Sequence, residues 1–195
     1  MTVVRRAEVP RYTRYQRYKP ILREDFVYRC AYCQTHERVF GELRHMTIDH
    51  LRPKEMFPRL RTEYANLYYC CAACNTYKGE QWPSDEEVAA GDRFVDVCQD
   101  EWGDHLQVVD GVVTGTTAPG RFTADALVFD RPELTGRNRE AAASEAKCRR
   151  ELQLIQEIRS SLPRADAAEH RRLDELERDA TERLNAILEP APLKT

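Results

Sequence analysis

Two apolar stripes run through the C-terminal third of the chain. Leu173, Leu176, Ala180, Leu184 and Ile187 recur at helical spacing, and Cys148, Leu152, Ile155 and Leu162 do the same upstream. Pro163 separates the runs, and a proline cannot continue a helix. The pattern predicts two long helices within residues 132–188, packed as an antiparallel hairpin. Asp130-Arg131-Pro132 marks the start, with Asp at an N-cap position and Pro near the first helical position. Earlier, apolar residues from Leu106 to Thr114 flank the pair Asp110-Gly111, which predicts a β-hairpin with a type I′ turn. Thr123–Phe129 reads as a short helix. Residues 21–29 read as a short helix or turn that buries Leu22 and Phe26. His45–Leu51 alternates enough for a strand, with Pro53 and Pro58 beyond it. Asn66–Lys78 reads as a helix that ends at Gly79. Residues 81–104 read as an acidic loop, and no internal repeat is present.

The fold class is therefore α+β. Four stretches follow: a basic aromatic arm (1–29), a compact core (30–80), an acidic segment with the hairpin (81–131), and the helical hairpin with its tail (132–195). The length of 195 residues fits one compact domain with attachments. No apolar run approaches the ~20 residues needed to span a bilayer, and the N-terminus lacks the apolar core of a signal peptide. A cytoplasmic protein with reduced thiols is expected.

Charge changes this picture locally. The net charge of −3 argues against a globally basic nucleic-acid binder. Yet residues 1–23 hold seven Lys and Arg against Glu8 alone, and residues 80–110 hold ten acids against Arg93 alone. In the arm, Arg and Tyr recur together as Arg11-Tyr12, Arg14-Tyr15 and Arg17-Tyr18. Arg can pair with phosphates and Tyr can stack on bases, or both can pack on the core. The pattern leaves both readings open.

Four of the seven cysteines form two CxxC pairs, Cys30/Cys33 and Cys71/Cys74. In a reducing compartment this spacing points to metal, and four thiolates suit tetrahedral Zn2+. Between and after the pairs stand Asp49-His50, Arg52, Lys54, Asn66, Asn75 and Lys78. A purely structural zinc knuckle has no need of these polar residues. Asp49 and His50 are neighbours on the predicted strand, so they face opposite sides unless the strand is distorted.

This stretch resembles the HNH endonuclease family in its zinc-stapled form: CxxC, then Asp-His, then Asn-Leu-x-x-x-Cys-x-x-Cys-Asn with a Lys just beyond. Asn75 fills the third named position, as in HNN variants. The resemblance implies a ββα-metal core with a structural zinc, and hydrolysis of DNA with Mg2+ or Mn2+. It implies His50 as general base, Asp49 and Asn75 as ligands of the catalytic ion, and Asn66 as a brace for the loop carrying the base. Asn66 alone also reads as an N-cap. Arg52, Lys54 and Lys78 read as phosphate contacts. Cys70 reads as a buried spare thiol, Cys98 and Cys148 as core residues, and His36, His45, His105 and His170 have no assigned role. Trp102–Leu134 resembles the tail of such nucleases.

Small HNH proteins of this kind resemble nucleases of Septu-type anti-phage systems, which act beside a separate ATPase, and restriction-type endonucleases. The chain has no P-loop, so any nucleotide control would come from an ATPase partner. Residues 80–104 and 137–188 exceed a minimal nuclease and are expected to mediate assembly, including a homo-oligomer through the C-terminal helices. The alternative reading is a zinc-stabilised nucleic-acid-binding or adaptor module without catalysis.

Overall fold

The computed structural model describes residues 2–41, 43–163 and 166–189. The described residues divide into two compact units, the first up to Thr135 and the second from Gly136 onward.

In the first unit, helix α1 (Lys19–Asp25) carries Pro20 in its opening turn, where the missing N–H is harmless. It buries Leu22, and Phe26 follows it into the core, as predicted. Strand β1 (Met46–His50) pairs antiparallel with β2 (Leu67–Cys71), in regular register from Met46↔Cys71 to His50↔Leu67. Helix α2 (Ala72–Lys78) follows directly and completes the expected ββα unit.

The helix expected over Asn66–Lys78 is thus half strand. All five residues of β2 are buried. Tyr68 donates to Asp96 and meets Phe26 edge-on, while Tyr69 donates to Glu37. A strand covered on both faces shows no polar alternation, so periodicity alone cannot separate it from a buried helix. Cys71 caps α2 by accepting the Cys74 N–H at 3.4 Å, and Asn66 caps nothing there.

The acidic segment also departs from the expectation of a loop. Helix α3 (Asp85–Ala89) has a capping box between Ser84 and Glu87, each side chain bonding the other's backbone N–H. Beyond it, Phe94, Val95 and Val97 are buried in the first unit's core. This part of the segment is therefore packed and cannot serve as an assembly surface.

Helix α4 (Trp102–His105) leads into β3 (Leu106–Val109) and β4 (Val112–Gly115). Asp110 and Gly111 have φ of 50° and 82°, as a type I′ turn requires. Helix α5 (Ala118–Ala126) starts earlier than predicted, because the Thr117 side chain accepts from Gly120 N and Pro119 opens its first turn. A Cβ at Gly120 would lie 1.9 Å from the His105 carbonyl oxygen, so only glycine fits there.

Helix α6 (Pro132–Ser161) begins in the first unit, and from Gly136 it builds the second unit with α7 (Ala167–Leu188). Ile155, Leu173 and Ala180 are buried together, with Leu152 and Leu162 against them. Arg159 pairs with Asp174 and Glu177, and Arg183 with Glu151, which fixes the antiparallel order. Leu176, expected in the stripe, is 49% exposed. No helix among the described residues is long and apolar enough to cross a membrane.

Candidate active site and metal centre

The two CxxC pairs come together. The Sγ atoms of Cys30, Cys33, Cys71 and Cys74 lie within 4.8 Å of one another, and all four residues are buried. A tetrahedral Zn2+ with bonds of ~2.3 Å needs sulfur atoms roughly 3.8 Å apart, so the cluster fits a zinc ion with little adjustment. The turn after Cys30 is tight: Gln34 N donates to Cys30 O at 3.0 Å, and Gln34 has φ of 56°. Hydrogen bonds from Cys30, Cys71 and Cys74 pull the Cys33 thiol well below its usual range, whereas burial pushes Cys30 well above it. A bound dication would favour the thiolate at all four positions. Cys70 is buried and outside this cluster.

His50 closes β1 and is 6% exposed. Its Nε2 lies 2.9 Å from the Arg61 carbonyl oxygen. A carbonyl can only accept, so Nε2 carries the proton and Nδ1 of the neutral ring carries the lone pair. Burial lowers the His50 pKa from 6.5, which keeps the ring neutral near pH 7. The Tyr15 ring stands edge-on at 4.7 Å and fixes the imidazole from the other side.

Arg61 belongs to the loop between β1 and β2, and Asn66 holds that loop. Its Oδ1 accepts from Arg52 N at 2.9 Å, and its Nδ2 donates to Arg52 O at 3.0 Å and Leu60 O at 3.4 Å. These bonds tie the end of the loop at Asn66 back to its start at Arg52.

The regular register puts Asp49 on the side opposite His50. Asp49 accepts from the Tyr32 hydroxyl, and its Oδ2 lies 3.2 Å from Lys78 Nζ. Burial raises the Asp49 pKa, while Lys78 opposes that shift. Lys78 is fully buried and also donates to His50 O at 2.9 Å. The expectation of Lys78 as a phosphate contact is corrected: its ammonium is enclosed and cannot reach a surface phosphate. Instead it ties α2 to the end of β1. Asn75 is half-buried on α2. Arg52 is exposed, lying over Phe57 and Trp82 at 5.8 and 5.6 Å, and Lys54 is half-exposed, 4.0 Å from Glu55.

Residues 30–81 match the HNH endonuclease family. That HNH domain holds both CxxC pairs, Asp49, His50, Asn66, Asn75 and Lys78. The chain is also similar to Septu protein PtuB of Bacillus thuringiensis, at 26% identity over 99 residues. The likeness covers 51% of this chain and 35% of that protein, so the chain matches about a third of its relative's length. No solved structure matches.

One residue that reaches the cysteine cluster stands outside the HNH domain. Arg131 is 3% exposed and donates from Nη2 to Cys74 Sγ at 3.0 Å, and from Nη1 to Leu127 O at 2.7 Å. Four thiolates around one dication carry a net charge of −2, and a buried guanidinium offsets part of it. Nothing in the local pattern marks Arg131, which lies 57 residues from Cys74. Arg131→Met is expected to weaken metal retention roughly 10–100-fold. A colorimetric chelator competition would show this, and an unchanged zinc-transfer curve would refute it.

Proposed function

We propose that this chain is a metal-dependent nuclease that hydrolyses DNA phosphodiester bonds and works in anti-phage defence, in the manner of a Septu nuclease beside an ATPase subunit. The observation that carries the reading is the His50 ring. It is neutral, its Nε2–H is engaged by Arg61 O, and Nδ1 is left as the basic atom. A base so fixed can take a proton from an attacking water. A binding module has no use for it.

A divalent Mg2+ or Mn2+, when bound, would neutralise phosphate charge and stabilise the leaving oxygen. The carboxylate of Asp49 and the amide oxygen of Asn75 are hard donors of the kind such ions prefer. Lys78 holds the Asp49 carboxylate and the His50 carbonyl in place. Asn66 keeps Arg61 under the imidazole by fixing the loop. Arg52 and Lys54 remain on the surface, where they can meet phosphates. The reduced thiols of the metal centre accord with a cytoplasmic setting. An ATPase partner or a second copy would meet the exposed Leu154, Ile158, Leu176 and Leu188 of the helical hairpin. Light scattering of the protein alone separates these two.

The rival reading, a zinc-stabilised adaptor without catalysis, draws on one observation: Lys78 and Tyr32 already engage Asp49. A supercoiled-plasmid assay with Mg2+, Mn2+ and EDTA decides between them. Nicking or linearisation with a divalent ion, abolished by EDTA, is expected. Binding without cleavage under either ion, with and without the ATPase subunit, would favour the adaptor.

A further inference from the structure

The seven cations of residues 1–23 divide into two groups. Arg5 donates to Tyr64 O and Leu67 O and lies against Phe26, Tyr64 and Tyr68. Arg6 pairs with Glu24 and Asp25, Lys19 donates to Leu43 O and Met46 O, and Arg23 pairs with Glu37. Arg5, Lys19 and Arg23 hold the arm onto the core, and Arg6 ties its start to α1. Arg11, Arg14 and Arg17 are exposed.

Arg14 and Arg17 line a cleft of about 760 Å³ together with Thr13, Tyr15, Gln16, Thr62 and a third exposed arginine, Arg61. Among the described residues, none of these three guanidinium groups is paired with a carboxylate. Like charges gathered without counter-ions repel one another, so the cleft is poised for an anion. Its position is specific. Tyr15 makes the edge contact with the His50 ring, and the backbone oxygen of Arg61 accepts the His50 Nε2–H. The wall of the cleft is therefore the mount of the imidazole. The segment is also preordered: Tyr18 is buried, and its hydroxyl accepts from Tyr12 N at 3.1 Å.

We propose that the Arg14–Arg17–Arg61 cleft binds backbone phosphates of the substrate strand beside the scissile bond, with Tyr15 as the residue that positions His50 against that strand. This inference rests on the nuclease reading of the same site. Exposed guanidinium groups on phosphate give affinity and register without base readout, so the cleft is expected to act on any sequence. It also resolves the arm residue by residue: the residues at its start anchor the fold, and the cationic turn around Arg14 and Arg17 faces the nucleic acid.

The test is the triple variant Arg14→Gln/Arg17→Gln/Arg61→Gln. Arg61→Gln keeps the carbonyl that holds His50. A second triple variant, Arg171→Gln/Arg172→Gln/Arg178→Gln, makes the same charge change at exposed positions of α7. Binding of a fluorescent duplex is measured by anisotropy without added Mg2+ or Mn2+ across a salt series, with zinc content and melting temperature as controls of folding. The cleft variant should lower the slope of log K against log salt by about 2–3, roughly 0.9 for each phosphate that is no longer neutralised. The α7 variant should leave the slope at the wild-type value. Equal slopes for wild type and cleft variant, or equal losses in both variants, would overturn the proposal.

Wild-type plasmid cleavage tells the two readings apart. If wild type cleaves and the cleft variant keeps the slope, the cleft fails and the nuclease stands. If wild type neither cleaves nor binds, both fall. If wild type binds through the cleft and never cleaves, the cleft stands on an adaptor. Tyr15→Leu should lower kcat with little change in KM, and Tyr15→Phe, which keeps the ring, should restore it. A Tyr15→Leu enzyme with wild-type kcat would remove the positioning role.

Discussion

Loss of the metal is expected to unfold the first unit. Cys30 and Cys33 sit in the turn after α1, Cys71 ends β2, and Cys74 lies on α2. The ion would join segments about 40 residues apart, beside the backbone bond from Ala31 N to Tyr69 O at 2.8 Å. The apparent free energy of structural zinc binding is roughly 10–16 kcal/mol in zinc-finger peptides. The whole stability of a domain is about 5–15 kcal/mol. Removing the first therefore exceeds what the core can absorb. Without a cation, four thiols within 4.8 Å must also either bind protons or repel. Purified protein should contain one zinc per chain, and chelation should abolish the cooperative melting transition of the first unit. Cys71→Ser should do the same, since it removes a ligand while its hydroxyl can still cap α2. Zinc-free protein that melts like wild type would refute the structural site.

Much of this architecture is legible in the sequence, and the exceptions have particular causes. The CxxC pairs, the Asp110-Gly111 turn and the break at Pro163 are local signals, and local signals survive folding. Strand β2 escapes a reading by periodicity because both of its faces are covered. Helix α3 departs from the expected loop although Ser84 and Glu87 stand at capping-box spacing. The inward direction of Lys78 is in fact readable. Cys71, Cys74 and Lys78 follow one another at helical spacings of three and four, so the face that carries the thiols also carries the ammonium. The buried Phe94, Val95 and Val97 are hidden by the acids around them. Arg131 leaves no trace in the pattern, because its contact with Cys74 is purely tertiary. The arm supports two readings in the sequence because Arg and Tyr serve both, and the structure divides it between Arg5 and Arg6 on one side and Arg14 and Arg17 on the other.

The second large effect is expected at His50. Replacing it with Ala removes a group that is held neutral, oriented and next to the exposed cleft at the end of β1. The ring makes one hydrogen bond and one edge contact, so its loss should leave zinc content and DNA binding close to wild type. A general base contributes roughly 10²–10⁴ in rate. The pH dependence should carry its mark. His50 acts only when unprotonated, and burial lowers its pKa from 6.5. The wild-type rate should therefore be level from neutral pH upward and fall only on the acid side, below about pH 6.5. The decisive measurement is the single-turnover rate of plasmid cleavage by wild type and His50→Ala at about pH 7.5 in Mg2+, with matched zinc content and DNA affinity. A fall of roughly 100-fold or more in the variant is predicted, and cleavage by His50→Ala at the wild-type rate would contradict the assignment of His50 as the base.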